Sequence, residues 1–314
     1  MEPNLTIVMY HYIRPIADSK WPRVKGLELE DFKGQLDFFQ HHYQPITVDQ
    51  MLSGEIPPKA ALITFDDGYA DHYQYVFPEL KRRKLSGAFF PPARAVLEGK
   101  LLDVNKIHFL LASMDNHAIL ANHIDRIVEI SKNLKSLAYY HDTYAKPNRF
   151  DTAEIIYIKR MLQVALPPIL REKITDELFT RFVTTDEKAF ATELYCSPSN
   201  LVEMVQNGMT IGGHGYAHNW LDSLTRDEQA QDLDHAMGML QSIGALKNHF
   251  LFCYPYGAYN DDTLDLLKAR HCAAAFTTKF GPATITNGAD MLQLPRFDTN
   301  DLPCTAQHKR KHML

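Results

Sequence analysis

The sequence predicts an α/β fold in which strands and helices alternate around a closed or nearly closed barrel. Short runs rich in β-branched and aromatic residues alternate with longer stretches whose apolar residues recur at helical spacing. Two of the strand-like runs end in segments that place carboxylates or histidines beside glycine. Because α/β folds keep their chemistry at the carboxyl ends of strands, these two segments are the first candidates for a functional site.

In chain order, the predicted strands share short apolar runs that end at turn-forming residues. They cover residues 5–10, 62–65, 86–90, 250–252 and 273–277. The predicted helices share apolar residues three and four apart, and they cover residues 29–43, 70–84, 110–130, 153–166, 168–182, 199–207, 225–242 and 261–269. Residues 48–52 form a short segment that fits either state.

The strand at residues 62–65 is the most informative, because it ends at two adjacent carboxylates. Asp66 and Asp67 are followed directly by Gly68. Two like charges repel each other, so burying both is costly unless a cation or a shared proton relieves the repulsion. An Asp-Gly pair is also common in solvated turns, and this segment alone leaves both interpretations open.

The second segment, residues 211–218, has the sequence I-G-G-H-G-Y-A-H. Its histidines, His214 and His218, are four residues apart, a spacing that would place both on one face of a helical turn. Combined with the acidic pair, they supply one carboxylate and two imidazoles for a divalent metal ion, with positions left for water and substrate. The other carboxylate would be free to act as a base on that water.

Three segments resemble the motifs of the polysaccharide deacetylases, the NodB-homology group of carbohydrate esterase family 4. T-F-D-D-G at residues 64–68 resembles the first motif, and the two histidines match the H-x-x-x-H of the second. F-C-Y-P-Y-G at residues 252–257 resembles the third, and the three occur in the family's order. The resemblance covers roughly residues 1–95 and 200–300, and it implies the distorted (β/α)7 barrel of that family.

The resemblance also implies a role for each site residue. Asp67, His214 and His218 would hold one divalent ion, for which we expect zinc, although these ligand types also suit similar ions. Asp66 would be the base that takes a proton from a metal-activated water as it attacks an acetamide carbonyl. The backbone N–H of Tyr256 would stabilise the resulting oxyanion.

The sequence departs from the family at two catalytic positions. Cys253 stands near the place where many relatives have an arginine that orients the catalytic aspartate. We expect Arg296, in L-P-R-F-D at residues 294–298, to pair with Asp66 from another strand end instead. The L-x-H motif that supplies the family's general acid is not recognisable. His11, at the end of the first strand, is the substitute we expect, and a hydrogen-bonded core histidine is the competing interpretation.

The middle of the chain interrupts the alternation of strands and helices. Residues 100–198 show only helical spacing, so we predict a helical insertion in a discontinuous barrel formed by residues 1–99 and 199–305. Residues 306–314 form a basic tail that we expect to be disordered. A polar and aromatic cluster in the insertion could shape a sugar site or be the insertion's own surface; its members are Tyr139, Tyr140, His141, Tyr144, Asn148 and Arg149.

Composition and charge narrow the class of protein. A chain of 314 residues can bury a substantial core as one large domain, or as one domain with an insertion. The net charge of -5 offers no attraction to phosphate backbones, so we expect no nucleic-acid partner. The cysteines are widely spaced and are typical of free thiols in a reducing compartment, although disulfides remain open; they are Cys196, Cys253, Cys272 and Cys304.

The N-terminal segment is polar and acidic and lacks the basic start and long apolar run of a secretory signal. No segment has the length of a transmembrane helix, so a cytoplasmic protein is expected.

These observations predict a metal-dependent amide hydrolase. Its substrate would be an N-acetyl or other acylamino sugar, free or nucleotide- or lipid-linked, in bacterial cell-surface polysaccharide or O-antigen biosynthesis. The alternative is a deacetylase-like metal-binding protein with no hydrolase activity, or with a different acyl or amide chemistry. The presence of Asp66 favours the first class, because a pure binding site needs no base beside the metal. The missing L-x-H motif and the replaced arginine favour the second.

Overall fold

Parallel strands form the framework of the fold. The computed structural model describes residues 2–247, 249–286 and 290–303. Cys304 and the predicted basic tail therefore lie outside the described residues. The strands are β1 (Leu5–Tyr10), β2 (Ile13–Arg14), β3 (Leu27–Glu28), β4 (Gln44–Pro45), β5 (Ala60–Asp66), β6 (Ala88–Phe90), β7 (Thr210–Ile211), β8 (Phe250–Cys253), β9 (Cys272–Phe276) and β10 (Phe297–Asp298).

The main sheet has the order β10-β1-β5-β6-β7, and β4 pairs with the start of β5. β8 pairs with β9 and β2 with β3, and all of these pairings are parallel. Two isolated parallel bridges, Gly213–Phe252 and Phe276–Leu294, add contacts after β7 and after β9. The fold is therefore α/β with a parallel sheet, while the closed seven-stranded barrel stays a prediction.

Helices connect the strands and fill the middle of the chain. They are α1 (Leu29–His42), α2 (Val48–Ser53), α3 (Phe77–Arg83), α4 (Ala93–Glu98), α5 (Asp103–Ala112), α6 (Ala118–Ile130), α7 (Leu137–Tyr144), α8 (Ala153–Arg160), α9 (Pro168–Phe182), α10 (Glu187–Leu194), α11 (Pro198–Gln206), α12 (Arg226–Ser242) and α13 (Asp261–Ala269). Capping boxes begin several of them, including Thr47 before α2 and Thr225 before α12. Each helix among the described residues is too short or too polar to cross a lipid bilayer.

Two sequence predictions about helices are corrected by the structure. The predicted helix over residues 110–130 is interrupted, because α5 ends at Ala112 and α6 begins at Ala118. The intervening residues are rich in polar side chains that compete for backbone hydrogen bonds, and Asn116 accepts one from the N–H of Ala118. The predicted helix over residues 70–84 begins with a π-helical turn, His72–Val76, before α3.

The chain divides into two compact units. The first comprises Met1–Ile16, Gly26–Lys100 and Ala191–Leu314, as far as these are described. The second comprises Ala17–Lys25 and Leu101–Phe190, and it is helical. The predicted insertion covered residues 100–198. The second unit ends earlier, at Phe190, and it also includes the segment Ala17–Lys25. The strands and the predicted catalytic and metal-binding residues lie in the first unit, and the polar and aromatic cluster within residues 139–149 lies in the second.

Alternate residues of the strands enter two different apolar clusters. In β5, Ala61, Ile63 and Phe65 pack into a cluster with the buried faces of α1, α3 and α12. Ala60 and Leu62 enter a second cluster, which is lined mostly by residues from the other strands. Because side chains alternate along a strand, Thr64 and Asp66 lie on the same face as the second cluster. The polar residues Thr64 and Asp66 therefore lie on the same side of the sheet as the second apolar cluster.

Replacing Gly68 with alanine should destabilise the protein more than replacing Gly99 does. Both glycines have positive φ angles, 63° and 60°, so an alanine at either position costs about 1–2 kcal/mol in backbone strain. A Cβ at Gly68 would also lie 2.4 Å from the Cβ of Pro91, whereas nothing lies within 4 Å of a Cβ at Gly99. We expect chemical denaturation to show an additional loss of roughly 1–3 kcal/mol in the free energy of unfolding for Gly68→Ala. Equal losses in the two variants would show that the close contact between residue 68 and Pro91 has no effect on stability.

Candidate active site

The acidic pair lies where β5 ends and the chain turns sharply. Asp66 is the last residue of β5, and both it and Asp67 are buried. Asp67 has a φ angle of 74°, in the left-handed region that aspartate tolerates better than most residues, and Gly68 continues the turn. The N–H of Asp67 donates to the carbonyl of Phe90 at the end of β6, at 3.0 Å. This anchored turn gives the two consecutive carboxylates different partners.

Asp67 lies beside both histidines of the second motif. Its Oδ1 is 3.3 Å from Nε2 of His214 and 3.2 Å from Nε2 of His218. Its Oδ2 accepts a hydrogen bond from the buried Tyr69 hydroxyl at 2.6 Å. One oxygen of Asp67 is therefore held by a neutral donor, and the other is directed at two imidazole nitrogens.

The histidines are not on a helical turn, which corrects the sequence prediction. Residues 212–220 form a loop between β7 and the next helical turn, and both Gly215 and His218 have positive φ angles. The buried carboxylate of Asp232, on α12, accepts a hydrogen bond from the N–H of Tyr216 at 2.8 Å and fixes the loop. A loop of this shape brings residues i and i+4 together as a helix would, so the spacing was informative and the local structure inferred from it was wrong.

The donor set fits a divalent metal ion. His214 donates from Nδ1 to the carbonyl of Cys253 at 2.7 Å, so its neutral ring presents a lone pair at Nε2. That lone pair would repel Oδ1 of Asp67 unless a cation or a proton lies between them. Among the described residues, this buried oxygen has no hydrogen-bond partner. A carboxylate oxygen and two imidazole nitrogens within 4.8 Å of one another form a suitable set of ligands.

The pKa values of the two histidines are shifted in opposite directions. Burial lowers the pKa of His214, but the neighbouring Cys253 and Asp67 outweigh it and raise the pKa well above its usual range. Burial lowers the pKa of His218 below its usual value, although Asp67 opposes the shift. The raised pKa favours a proton on His214 that a bound metal ion would have to displace, whereas the lowered pKa favours the neutral form of His218 that metal binding requires.

A second group of potential ligands is less suitable. Asp66, His214 and Cys253 also offer ligand atoms within 4.8 Å of one another. However, the guanidinium of Arg296 already contacts the Asp66 carboxylate and lies 3.1 Å from the Cys253 sulfur. Because a metal ion beside this fixed positive charge would be repelled, Asp67, His214 and His218 are the better candidate for a metal site.

Asp66 is held by Arg296, which is the contact that the sequence predicted. Nη1 of Arg296 donates to Oδ1 of Asp66 at 2.8 Å, and Nη2 donates to Oδ2 at 2.7 Å. The pair is fully buried. Burial alone would raise the pKa of Asp66, but the guanidinium outweighs it and lowers the pKa to about 2. Asp66 is therefore ionised at neutral pH and fixed in orientation.

His11 lies at the edge of the same site. Its Nε2 is 3.9 Å from Oδ2 of Asp66, and its side chain is 40% exposed, so solvent and a substrate can reach it. The buried His72 donates from Nε2 to the backbone carbonyl of His11 at 2.8 Å. The partly exposed ring argues against the competing interpretation of His11 as a core histidine, and its role as general acid stays a prediction.

Tyr256 also lies beside the metal-binding residues. It has a φ angle of 58°, and its ring is 4.5 Å from that of His218 and stacks on Trp220 at 4.8 Å. A non-glycine residue in the left-handed region is strained, and such residues cluster at functional sites. This placement is compatible with the predicted oxyanion contact of its N–H, which stays a prediction.

The polar and aromatic cluster of the second unit makes contacts within that unit. Tyr140 is buried, and Nε2 of His141 lies 3.1 Å from both carboxylate oxygens of Asp125. The side-chain oxygen of Asn148 accepts two backbone N–H groups of its own loop. Tyr139 is half exposed. These contacts serve the unit's own packing, and a sugar site there stays a prediction.

Sequence reasoning missed three residues that shape the site, namely Tyr69, Thr64 and Asp232. Tyr69 follows the first motif directly, but nothing in its position shows that its hydroxyl returns to Asp67. Thr64 resembles any other β-branched strand residue until Arg296 is seen to contact its hydroxyl. Asp232 lies on the buried side of an amphipathic helix, and a polar residue there is the one signal that could have identified it.

Comparisons with known proteins identify the same family that the sequence motifs resemble. The sequence model of the family described as polysaccharide deacetylase matches residues 165–274, which include the second and third motifs. A relative described as "Putative polysaccharide deacetylase YxkH" from Bacillus subtilis (strain 168) is 31% identical over 99 residues. Those residues make up 30% of this chain and 33% of the relative, so the match spans about a third of the relative's length.

Solved structures with a similar fold include two that cover nearly the whole chain. The Streptococcus pyogenes deacetylase PplD, in complex with acetate, has a TM-score of 0.55 and 17% identity, covering 95% of this chain and 93% of that one. IcaB from Ammonifex degensii has a TM-score of 0.54 and 20% identity, covering 94% and 91%. At these identities the likeness shows the fold alone. Together with the match over residues 165–274, it confirms the resemblance to the polysaccharide deacetylase family that the three motifs predicted.

Proposed function

We propose that this chain is a divalent-metal-dependent N-deacetylase that acts on a carbohydrate. The observation that carries the proposal is the division of the acidic pair. Asp67 faces His214 and His218 as a potential metal ligand, while Asp66 beside it is ionised and held away by Arg296. A metal-binding site with no catalytic role would not need a second, separately fixed carboxylate.

The roles of the residues follow from their positions. A divalent ion held by Asp67 and the two histidines would polarise the acyl carbonyl and acidify a water molecule. Asp66 is positioned to accept a proton from the attacking water. The water oxygen adds to the acyl carbon, the C–N bond breaks, and the products are a carboxylate and an amine. His11, at the exposed edge, is positioned to give the departing nitrogen its proton, and the N–H of Tyr256 is the candidate donor to the oxyanion.

Two structures of similar fold favour an acetyl group as the group that is removed. The PplD structure is described as a deacetylase in complex with acetate. A third structure of similar fold, with a TM-score of 0.51 and 14% identity, is described as a de-N-acetylase from Aggregatibacter actinomycetemcomitans. Acetate and a free amine are the expected products here if the same bond is cleaved.

The finer parts of the proposal rest on the sequence. We propose zinc as the resident ion and an N-acetyl or other acylamino sugar as the substrate, free or linked to a nucleotide or lipid carrier. A place in bacterial cell-surface polysaccharide or O-antigen biosynthesis, and a cytoplasmic location, stay predictions.

The proposal is tested with the purified full chain, stripped of metal by a chelator and reloaded with Zn²⁺, Co²⁺ or Mn²⁺. Acetate release from N-acetylglucosamine oligomers and from a nucleotide-linked N-acetyl sugar is the measurement. We expect release only from the metal-loaded protein. Stoichiometric metal binding without acetate release from any of these probes would favour the alternative of a metal-binding protein that lacks hydrolase activity.

Replacing His214 or His218 with alanine should lower metal affinity by about 10-fold or more, because each removes one of the proposed ligands. His42→Ala is a matched control, since His42 is exposed at the end of α1 in the same unit. Metal content after dialysis, measured by elemental analysis, distinguishes the variants. Unchanged stoichiometry in both the His214 and His218 variants would remove the metal site from the proposal.

Asp66→Asn and Asp67→Asn should have different effects. Asp66→Asn should retain the metal and lose turnover by roughly 100-fold or more, because the base is needed only for the chemical step. Asp67→Asn should lose both metal and turnover, because a ligand is needed for the ion to bind. Elemental analysis and acetate release, measured on the same preparations, test this. Equal loss of metal in the two variants would show that the roles are reversed or shared.

Arg296→Lys should reduce kcat while leaving metal content unchanged. A lysine keeps the positive charge beside Asp66, but it cannot donate two parallel hydrogen bonds to one carboxylate. We expect kcat to fall by about 10-fold or more, as the base loses its fixed orientation. Wild-type turnover in Arg296→Lys would show that the charge alone is sufficient.

A further inference from the structure

The guanidinium of Arg296 is buried, and each of its N–H donors has an acceptor. A guanidinium carries five N–H groups, and the paired carboxylate of Asp66 accepts only two of them. Nε donates to the carbonyl of Thr277 at 2.9 Å. The other Nη1 donor contacts Oγ1 of Thr64 at 3.0 Å, and the other Nη2 donor contacts Sγ of Cys253 at 3.1 Å.

Thr64 and Cys253 are both oriented to accept a hydrogen bond from the guanidinium of Arg296. The hydroxyl of Thr64 donates its own hydrogen to the carbonyl of Val8 at 2.7 Å, so its lone pairs face Arg296. The Cys253 thiol accepts from Arg296 and lies 3.4 Å from Oδ2 of Asp66, to which its hydrogen is directed. Each side chain is therefore part of the hydrogen-bond network that includes Asp66.

The alternative is that Cys253 is only a small residue that packs on the strand face. Its side chain is fully buried and also belongs to the second apolar cluster, as simple packing would require. Packing alone, however, does not account for the acceptor that it provides. Burying a charged donor without an acceptor carries the whole desolvation penalty of that donor, and a guanidinium left short of acceptors would rotate to find another.

We propose that Thr64 and Cys253 are positioning residues for the candidate base Asp66, and that they act through Arg296. They fix the plane of the guanidinium, and the guanidinium fixes the carboxylate. The inference rests on the proposed function for its catalytic consequence, although the hydrogen-bond network itself does not depend on it. In this chain the residue at position 253 makes one long contact with the base, at 3.4 Å, and it also accepts a hydrogen bond from the arginine that holds the base.

Substitutions that remove one acceptor at a time test the proposal. Cys253→Ala and Thr64→Val should each lower kcat by about 10-fold, with KM and metal content within about 2-fold of wild type. Cys253→Ser and Thr64→Ser retain an acceptor and should restore most of the activity. Cys272→Ala, on the neighbouring strand β9, is the matched control and should behave as wild type. Metal-loaded Cys253→Ala and Thr64→Val with kcat within 2-fold of wild type would overturn the proposal.

A double-mutant cycle provides a readout that does not depend on catalysis. Arg296→Lys keeps a positive charge beside Asp66 but lacks the second guanidinium nitrogen that contacts Cys253. Cys253→Ala should therefore reduce the free energy of unfolding in the wild type and have a much smaller effect in the Arg296→Lys background. Additive effects would overturn the proposal, even if the protein cleaves acetate from every probe.

The two tests separate failure of this inference from failure of the proposed function. If the wild-type, metal-loaded protein releases no acetate, the proposed function fails, and non-additivity in the cycle still decides whether Cys253 seats Arg296. If Cys253→Ala does not fold, the cycle is repeated with Thr64→Val, which removes only a hydroxyl at nearly constant volume.

Discussion

Two adjacent carboxylates buried at the end of β5 are the constraint on which the rest of the site depends. Like charges at Asp66 and Asp67 cannot share a buried position unless each has its own compensation. Arg296 compensates Asp66 with two parallel hydrogen bonds. Asp67 is compensated differently, by a neutral hydroxyl on one oxygen and by imidazoles that can share a cation on the other. The left-handed turn at Asp67 and Gly68 allows neighbours in sequence to reach different surroundings.

The contact with Arg296 fixes the orientation of the Asp66 carboxylate at the expense of its strength as a base. A general base is most effective when its pKa lies near the working pH, yet Arg296 lowers the pKa of Asp66 to about 2. Such a carboxylate is a weak proton acceptor, but it is always ionised and held in a fixed place. In the proposed reaction, a divalent ion at Asp67 would have to lower the pKa of the attacking water so that this weak base could accept its proton. Under that proposal, each carboxylate would depend on the other.

Periodicity predicted the strands of three or more residues among the described residues, and it missed the two-residue strands, which are too short to show an alternating pattern. The Arg296–Asp66 contact was predicted from the family resemblance, because Cys253 stands near the place where many relatives have an arginine, and the structure shows that contact. The local structure around His214 was mistaken because a spacing of four residues is shared by helices and by loops with left-handed residues. Tyr69 and Thr64 could not be assigned, because their functional contacts join them to groups that only the folded chain brings within reach.

The replaced arginine shows why a site is better compared by geometry than by position in a motif. What Asp66 requires is a guanidinium facing its two oxygens, and the carboxyl ends of several parallel strands converge on that place. Arg296, directly before the last strand β10, can reach it because the residue at position 253 is small and can accept a hydrogen bond. Cys253 meets both conditions, with its sulfur 3.1 Å from Nη2 of Arg296. In this chain the cysteine at position 253 goes together with a guanidinium supplied by Arg296, so the cysteine alone is no argument against the proposed chemistry.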